Sequence, residues 1–261
     1  MSNWVKKLFI ERADLFLKLM NQRWTKTEEL TNGIIKVLNN CGITSGNLLD
    51  LCCGNGRISV HIAKKGFRAV GVDISKTFLE DAKKKASEHG VTNMVAFLEG
   101  DVRRLKEVVG RLSQPFDVVV NAWTSIGFYS EKDDRSTFKQ ARELSREGAI
   151  LFITETMHSE YLALKFTPTS YTEIDDIMLL ENREYDQITS QMSTCWKFYK
   201  RCGNDLVFID KAEILHHIYS LSELSLLLKK AGWDMMTCYG SLSTLQAMNP
   251  LTSLNIVAKA C

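Results

Sequence analysis

The chain has 261 residues, 45% of them hydrophobic and 25% charged, with a net charge of +2. That is enough apolar material for a sizeable core, and the length suits one large domain with an insertion better than two full domains. The near-neutral balance gives no electrostatic footprint for nucleic acid or an anionic membrane. The seven cysteines contain no CxxC pair, so they read as reduced thiols in a cytoplasmic protein rather than a disulfide framework. Lys6, Lys7, Glu11, Arg12 and Asp14 do not make a signal peptide. No apolar run approaches the roughly 18 residues of a membrane span.

Residues 1–45 read as a helical cap. Val5, Leu8, Phe9, Leu15, Phe16 and Leu19 recur at helical spacing, as do Leu30, Ile34, Ile35, Val37 and Leu38. Thr27 is placed as an N-cap ahead of Glu28 and Glu29. From 46 to 157 strands and helices alternate. Strands are expected at 47–53, 68–74, 94–100, 116–123 and 149–157, and helices at 56–65, 76–89 and 132–147. Gly66, Gly90 and Gly148 close the helices. Such alternation calls for a parallel sheet covered by helices on both faces, an α/β doubly wound fold.

The rhythm breaks after residue 157. Met192, Thr194, Trp196 and Phe198 alternate with Ser193, Cys195, Lys197 and Tyr199. This is the period-2 signature of an antiparallel sheet with one buried face. Residues 158–218 therefore read as an inserted three-stranded meander, at 177–186, 191–201 and 205–220, serving as a lid or a dimer contact. Residues 219–261 supply a closing helix at 221–230 and two strands at 234–240 and 253–260. These bring the main sheet to seven strands.

Gly54 and Gly56 occupy the turn between the first strand and its helix. Such a turn lets a ligand approach the backbone and aims a helix N-terminus at negative charge. A dinucleotide site prefers GxGxxG, and here the third glycine position is Ser59. Three acids stand at the carboxyl ends of three successive strands: Asp50, Asp73 and Asp101. Asp50 suits an ammonium group, Asp73 both hydroxyls of a ribose, and Asp101 an exocyclic amine. One ligand has an amino acid end, a ribose and an adenine, and lacks phosphate: S-adenosylmethionine.

The runs Leu49-Asp50-Leu51-Cys52-Cys53-Gly54-Asn55-Gly56-Arg57, Gly71-Val72-Asp73-Ile74-Ser75 and Glu99-Gly100-Asp101 resemble the class I S-adenosylmethionine-dependent methyltransferases. The likeness covers roughly residues 45–157. Asn121-Ala122-Trp123-Thr124-Ser125-Ile126-Gly127 and the late Tyr219-Ser220-Leu221-Ser222-Glu223-Leu224 resemble a small bacterial and archaeal subgroup with a β insertion after strand five. The resemblance implies one Rossmann-like methyltransferase domain over 1–261, with S-adenosylhomocysteine as product. It implies cofactor contacts from Asp50, Cys52, Gly54, Gly56, Arg57, Asp73, Ile74, Asp101, Val102 and Asn121. Cys52 stands where the wider family has glycine; its Cβ is expected to keep φ negative.

Each of these residues also has a plainer explanation. Asp73 could cap the next helix, Asp101 could belong to a Gly-Asp turn, and Asn121 could simply end a strand. Cys52 and Cys53 read as small buried apolar residues, not nucleophiles, and no metal spacing involves them. His216 and His217 sit in a strand pattern and face opposite sides, so one of them can be near the site. Trp196, Phe198 and Tyr199 read as packing.

Candidates for a catalytic base are Glu155, His158, Tyr161 and His217. The fourth-strand end lacks an Asn/Asp-Pro-Pro-Tyr pattern, so a small-molecule N or O acceptor is expected, in a monomer or homodimer. The alternatives are a methyltransferase acting on RNA or protein, a non-catalytic S-adenosylmethionine-binding protein and, more distantly, a nicotinamide dehydrogenase.

Overall fold

The computed structural model describes residues 3–110 and 115–261; positions 1, 2 and 111–114 of the ranges above lie outside the described residues. The chain opens with α1 (Asn3–Lys6), a π-helical turn (Lys7–Glu11), α2 (Ala13–Asn21) and α3 (Thr27–Asn40). The alternating core follows: β1 (Asn47–Leu51), α4 (Arg57–Ala63), β2 (Arg68–Asp73), α5 (Lys76–Glu88), β3 (Val95–Glu99), α6 (Leu105–Val109), β4 (Phe116–Ala122), α7 (Glu131–Glu143) and β5 (Ser145–Thr156). Then come α8 (Ser159–Lys165), β6 (Thr169–Ile174), β7 (Ile177–Asp186), β8 (Gln191–Cys202) and β9 (Asp205–His217). The chain closes with α9 (Leu221–Lys230), β10 (Trp233–Ser241), β11 (Gln246–Ala247) and β12 (Leu254–Ala260).

The main sheet runs β11-β10-β12-β5-β4-β1-β2-β3. The pairs among β1 to β5 are parallel, and β10 and β12 join antiparallel. β1 lies between β2 and β4, so the strand order reverses beside it. A doubly wound sheet opens a ligand crevice at that place, beyond the carboxyl ends of the strands. Alternate residues of one strand feed opposite faces. Leu49, Val119 and Leu151 pack with Phe138, Leu227 and Trp233 under α7 and α9. Leu48, Val118 and Ile150 pack with Ile34, Leu38, Ile58 and Ile62 under α3 and α4.

Four details depart from the sequence expectations. The main sheet has eight strands, because the two-residue β11 pairs with β10. The insertion is a four-stranded sheet, β6-β7-β8-β9, preceded by α8; β6 is short, polar and on an edge, and its pattern is weak. Thr27 lies inside α3, its hydroxyl donating to the Arg23 carbonyl (2.9 Å), and does not cap the helix. Cys52 adopts φ +56°, overturning the expected negative value.

The N-terminal helices and the inserted sheet pack on each other. Trp4, Val5, Leu8 and Leu15 bury against Ile177, Leu179, Phe198 and Ala212. Lys18 reaches Asp176 (2.9 Å) and Arg12 reaches Asp210 (3.0 Å). Segments more than 150 residues apart thereby become one body beside the crevice.

Candidate active site

The turn after β1 holds three left-handed residues in five: Cys52, Gly54 and Gly56. A Cβ on Gly54 would come within 2.7 Å of Met20 Sδ, and one on Gly56 within 2.8 Å of the Phe97 ring. The freed Gly54 N–H donates to Asp73 Oδ2 (2.8 Å), and the Ser75 N–H donates to Asp73 Oδ1 (2.9 Å). Burial raises the Asp73 carboxyl to about 6, against the pull of these backbone donors.

Asp50 is placed differently from the expectation. Its Oδ2 accepts from Ser59 N (3.2 Å) and Ser59 Oγ (2.7 Å), and burial raises it too to about 6. It ties β1 to α4 and does not line the crevice. Asn121 also stands back: Nδ2 donates to the Leu51 carbonyl (3.3 Å), and its buried Oδ1 has no partner among the described residues.

Cys52, Gly54, Arg57, Asp73, Ile74, Asp101 and Val102 do line the crevice, a space of about 760 Å³ including its open mouth. Asp101 closes the far side. Burial pushes its carboxyl up, but bonds from the Arg103 guanidinium and backbone N–H (2.9 Å) outweigh this and leave it below the ordinary range. The Arg57 guanidinium is engaged by Thr27 Oγ1 (3.2 Å) and Glu155. Burial pushes both the Cys52 and Cys53 thiols well above their ordinary value, which disfavours a nucleophilic thiolate.

A second chamber of about 1450 Å³, its mouth included, adjoins the first. Phe9, Phe16, Trp123 and Phe128 line both. Trp123 and Thr124 each adopt a left-handed conformation (φ +60° and +57°), which directs the chain sharply away at the end of β4. The Trp123 ring then lies 5.6 Å from Phe16, and the Arg23 guanidinium sits 4.4 Å over its face. The remaining walls include Trp4, Trp196, Thr194, Glu181, Arg183 and His216. Sequence reading missed Phe9, Phe16, Arg23, Trp123, Phe128, Glu181 and Arg183 as site residues. The seven-residue spacing of Phe9 and Phe16 was visible, but it also fits ordinary core packing.

None of the four proposed bases lines either chamber. Glu155 is occupied by Arg23 (3.2 Å) and Arg57. His158 is fully buried, with Nδ1 on Glu160 (3.0 Å) and Nε2 on the Thr252 carbonyl (2.8 Å), a structural clamp. Tyr161 packs against the Leu162, Met192 and Ile218 cluster. His217 faces Gln191 and Tyr219, away from both chambers.

The fold is Rossmann-like, and its crevice at the carboxyl ends of the strands is lined by the glycine turn and two carboxylates, Asp73 and Asp101. Residues 48–148 match the family described as "Methyltransferase domain". The chain is similar to Putative methyltransferase YqeM of Bacillus subtilis, 34% identical over 134 residues, half of each chain. The chain spans about half the length of the first curated relatives it matches. Other relatives carry the names of ribosomal RNA and tRNA methyltransferases.

Its fold matches an S-adenosylmethionine-dependent methyltransferase from Clostridium acetobutylicum over 96% of this chain and 98% of that one, with TM-score 0.76 at 16% identity. It also matches CalS10, an amino pentose methyltransferase from Micromonospora echinaspora, over 90% and 92%, with TM-score 0.69 at 14% identity. Residues 48–148 thus carry the sequence of a methyltransferase domain, and the fold is the one these S-adenosylmethionine-dependent methyltransferases share. The residues present fit that cofactor: a buried carboxylate one strand from the glycine turn, two apolar residues, Ile74 and Val102, and a second carboxylate beyond them. Among the described residues no helix is long and apolar enough to cross a membrane.

Proposed function

We propose that the chain, acting as a single functional domain, transfers a methyl group from S-adenosylmethionine to a small molecule held in the second chamber. One observation carries this reading: the two chambers meet at one aromatic partition, Phe9, Phe16, Trp123 and Phe128. An acceptor in one chamber can therefore be presented to the cofactor in the other.

When bound, S-adenosylmethionine supplies an electrophilic methyl group on a sulfonium. Asp73 would accept the ribose hydroxyls and Asp101 the adenine amine, with Ile74 and Val102 against the ring faces. Cys52 and Gly54 would let the backbone approach the amino acid end, while Asp50, Gly56 and Asn121 hold the turn from behind. The partition rings exclude water and align the acceptor. Alignment of this kind supplies on the order of 7–11 kcal/mol in favourable systems.

Calorimetry with S-adenosylhomocysteine and a metabolite screen with labelled cofactor test the reading. Absence of binding would remove the cofactor assignment. Binding with label only in RNA or protein would replace the small-molecule acceptor by a macromolecule. Binding with no transfer in any fraction would leave a cofactor-binding protein.

A further inference from the structure

His216 lines the second chamber and is nearly fully buried. Its Nε2 lies 3.0 Å from the carbonyl oxygen of Ile126. A carbonyl can only accept, so Nε2 must carry the proton and Nδ1 must present a lone pair. Burial lowers the ring to about 4, so it is neutral at physiological pH. The edge bearing Cδ2 and Nε2 lies against Gly127, where a Cβ would meet Cδ2 at 2.9 Å. The Nδ1 edge is the one turned from that backbone, and no group among the described residues bonds it. Phe128 of the partition stands edge-on to this ring at 5.2 Å.

The chamber's charges have a sign. Arg23, Lys26, Arg183 and Glu181 line it. Glu181 is matched by Arg183 (2.7 Å). Glu155, behind the wall, is shared between Arg23 and Arg57. Positive charge is therefore left over, which disfavours an ammonium and favours an anion. The rings of Trp4, Phe16, Trp123 and Trp196 offer flat apolar faces.

We propose that the acceptor is an aromatic hydroxyl compound bearing an anionic group, and that His216 Nδ1 receives the hydrogen bond of its hydroxyl. This rests on the reading of the second chamber as the acceptor site. As the hydroxyl oxygen forms its bond to the methyl carbon, the S–CH₃ bond breaks and its electron pair stays on sulfur. The hydroxyl proton passes to Nδ1 and then to solvent. A weakly basic imidazole suffices, because the oxygen becomes strongly acidic only while it is being methylated.

The probes are 4-hydroxyphenylacetate and tyramine, which share a phenol and differ in the charge of the tail. Each is titrated into the protein saturated with S-adenosylhomocysteine, and the ¹⁵N resonances of His216 are followed. The expected result is tighter binding of 4-hydroxyphenylacetate, an Nε2–H tautomer, and an upfield move of Nδ1 on binding. His216→Gln keeps an N–H for Ile126 and removes the Nδ1 lone pair. It is expected to bind S-adenosylhomocysteine normally and the carboxylate probe about tenfold more weakly, the scale of one hydrogen bond. His216→Asn, with an amide near the Nδ1 position, is expected to recover part of that loss.

Equal or tighter binding of tyramine would overturn the proposal. So would an unmoved Nδ1, or a His216→Gln variant that binds like the parent. Loss of S-adenosylhomocysteine binding by the parent protein would instead fall on the cofactor assignment, so the two failures are distinguishable.

Discussion

Asp73 Oδ2 accepts the backbone N–H of Gly54 at 2.8 Å. The acid that ends β2 is thereby joined to the glycine turn that follows β1, so the carboxylate proposed to hold the ribose is also a structural tie. Asp73→Ala is expected to weaken S-adenosylhomocysteine binding about 10- to 100-fold, since hydrogen bonds to charged groups contribute roughly 1.5–3 kcal/mol. Calorimetry checks this. Asp73→Asn, which can still accept from Gly54, is expected to unfold at a higher temperature than Asp73→Ala.

The same group predicts a pH dependence. With the carboxyl raised to about 6 by burial, it is ionised above pH 7 and becomes protonated as pH falls through 6. Cofactor-product affinity is expected to drop between pH 7.5 and pH 5, with a smaller drop in Asp73→Asn. Titration calorimetry at the two pH values measures it.

Gly54→Ala places a methyl 2.7 Å from Met20 Sδ on a residue with φ +55°. The left-handed penalty alone is roughly 1–2 kcal/mol. Met20→Ala is expected to relieve the contact and leave the backbone penalty. Denaturant unfolding of the two single variants and the double variant separates the two terms.

Glu155 is the shared partner of Arg23 and Arg57, and the Arg57 side chain is only 7% exposed. Glu155→Gln leaves a buried guanidinium without its counter-charge. It is expected to destabilise the fold by about 3 kcal/mol, the low end for a broken buried pair, because Glu155 keeps some solvent access. Denaturant titration gives the value.

Asp134 Oδ2 accepts from the Tyr219 hydroxyl (2.8 Å) and Gly127 N (3.0 Å), and burial raises its carboxyl to about 7 despite them. The folded state therefore holds this proton to higher pH than the unfolded chain does. Its contribution to stability is present at low pH and lost as pH rises from about 4 to 7. The melting temperature of the parent protein is expected to fall more between pH 5 and pH 8 than that of Asp134→Asn, by about 3 °C or more. Paired thermal melts decide it.

The parallel core was legible because β1, β2, β4 and β5 are buried apolar runs punctuated by glycine. The place of Asp73 and Asp101 on the crevice wall was legible because a strand end followed by a turn announces it. The inner position of Asp50 was not, since nothing in the run 48–57 says that Ser59 will fold back onto it. The second chamber was least legible. Arg23, Trp123, Glu181 and His216 are scattered over almost 200 residues, and only the packing of the N-terminal helices on the inserted sheet assembles them. Local pattern cannot anticipate a left-handed cysteine either; Cys52 stands at φ +56° directly before Cys53 and Gly54, whose N–H groups are bonded to the Val72 carbonyl and Asp73.

Trp123 and Thr124 follow one another in left-handed geometry, a posture that glycine would hold without penalty. Glycine would remove that penalty, but at 123 it would also delete the ring packed on Phe16 and under Arg23, and at 124 the hydroxyl bonded to the Glu155 carbonyl and Met157 N, so neither exchange is expected to raise the melting temperature. At 123 the same exchange deletes a ring shared by both chambers and the flat seat under Arg23. The strained backbone at 123 is thus held by contacts of the side chain it carries, and the stability of this corner and the shape of both chambers depend on the same ring.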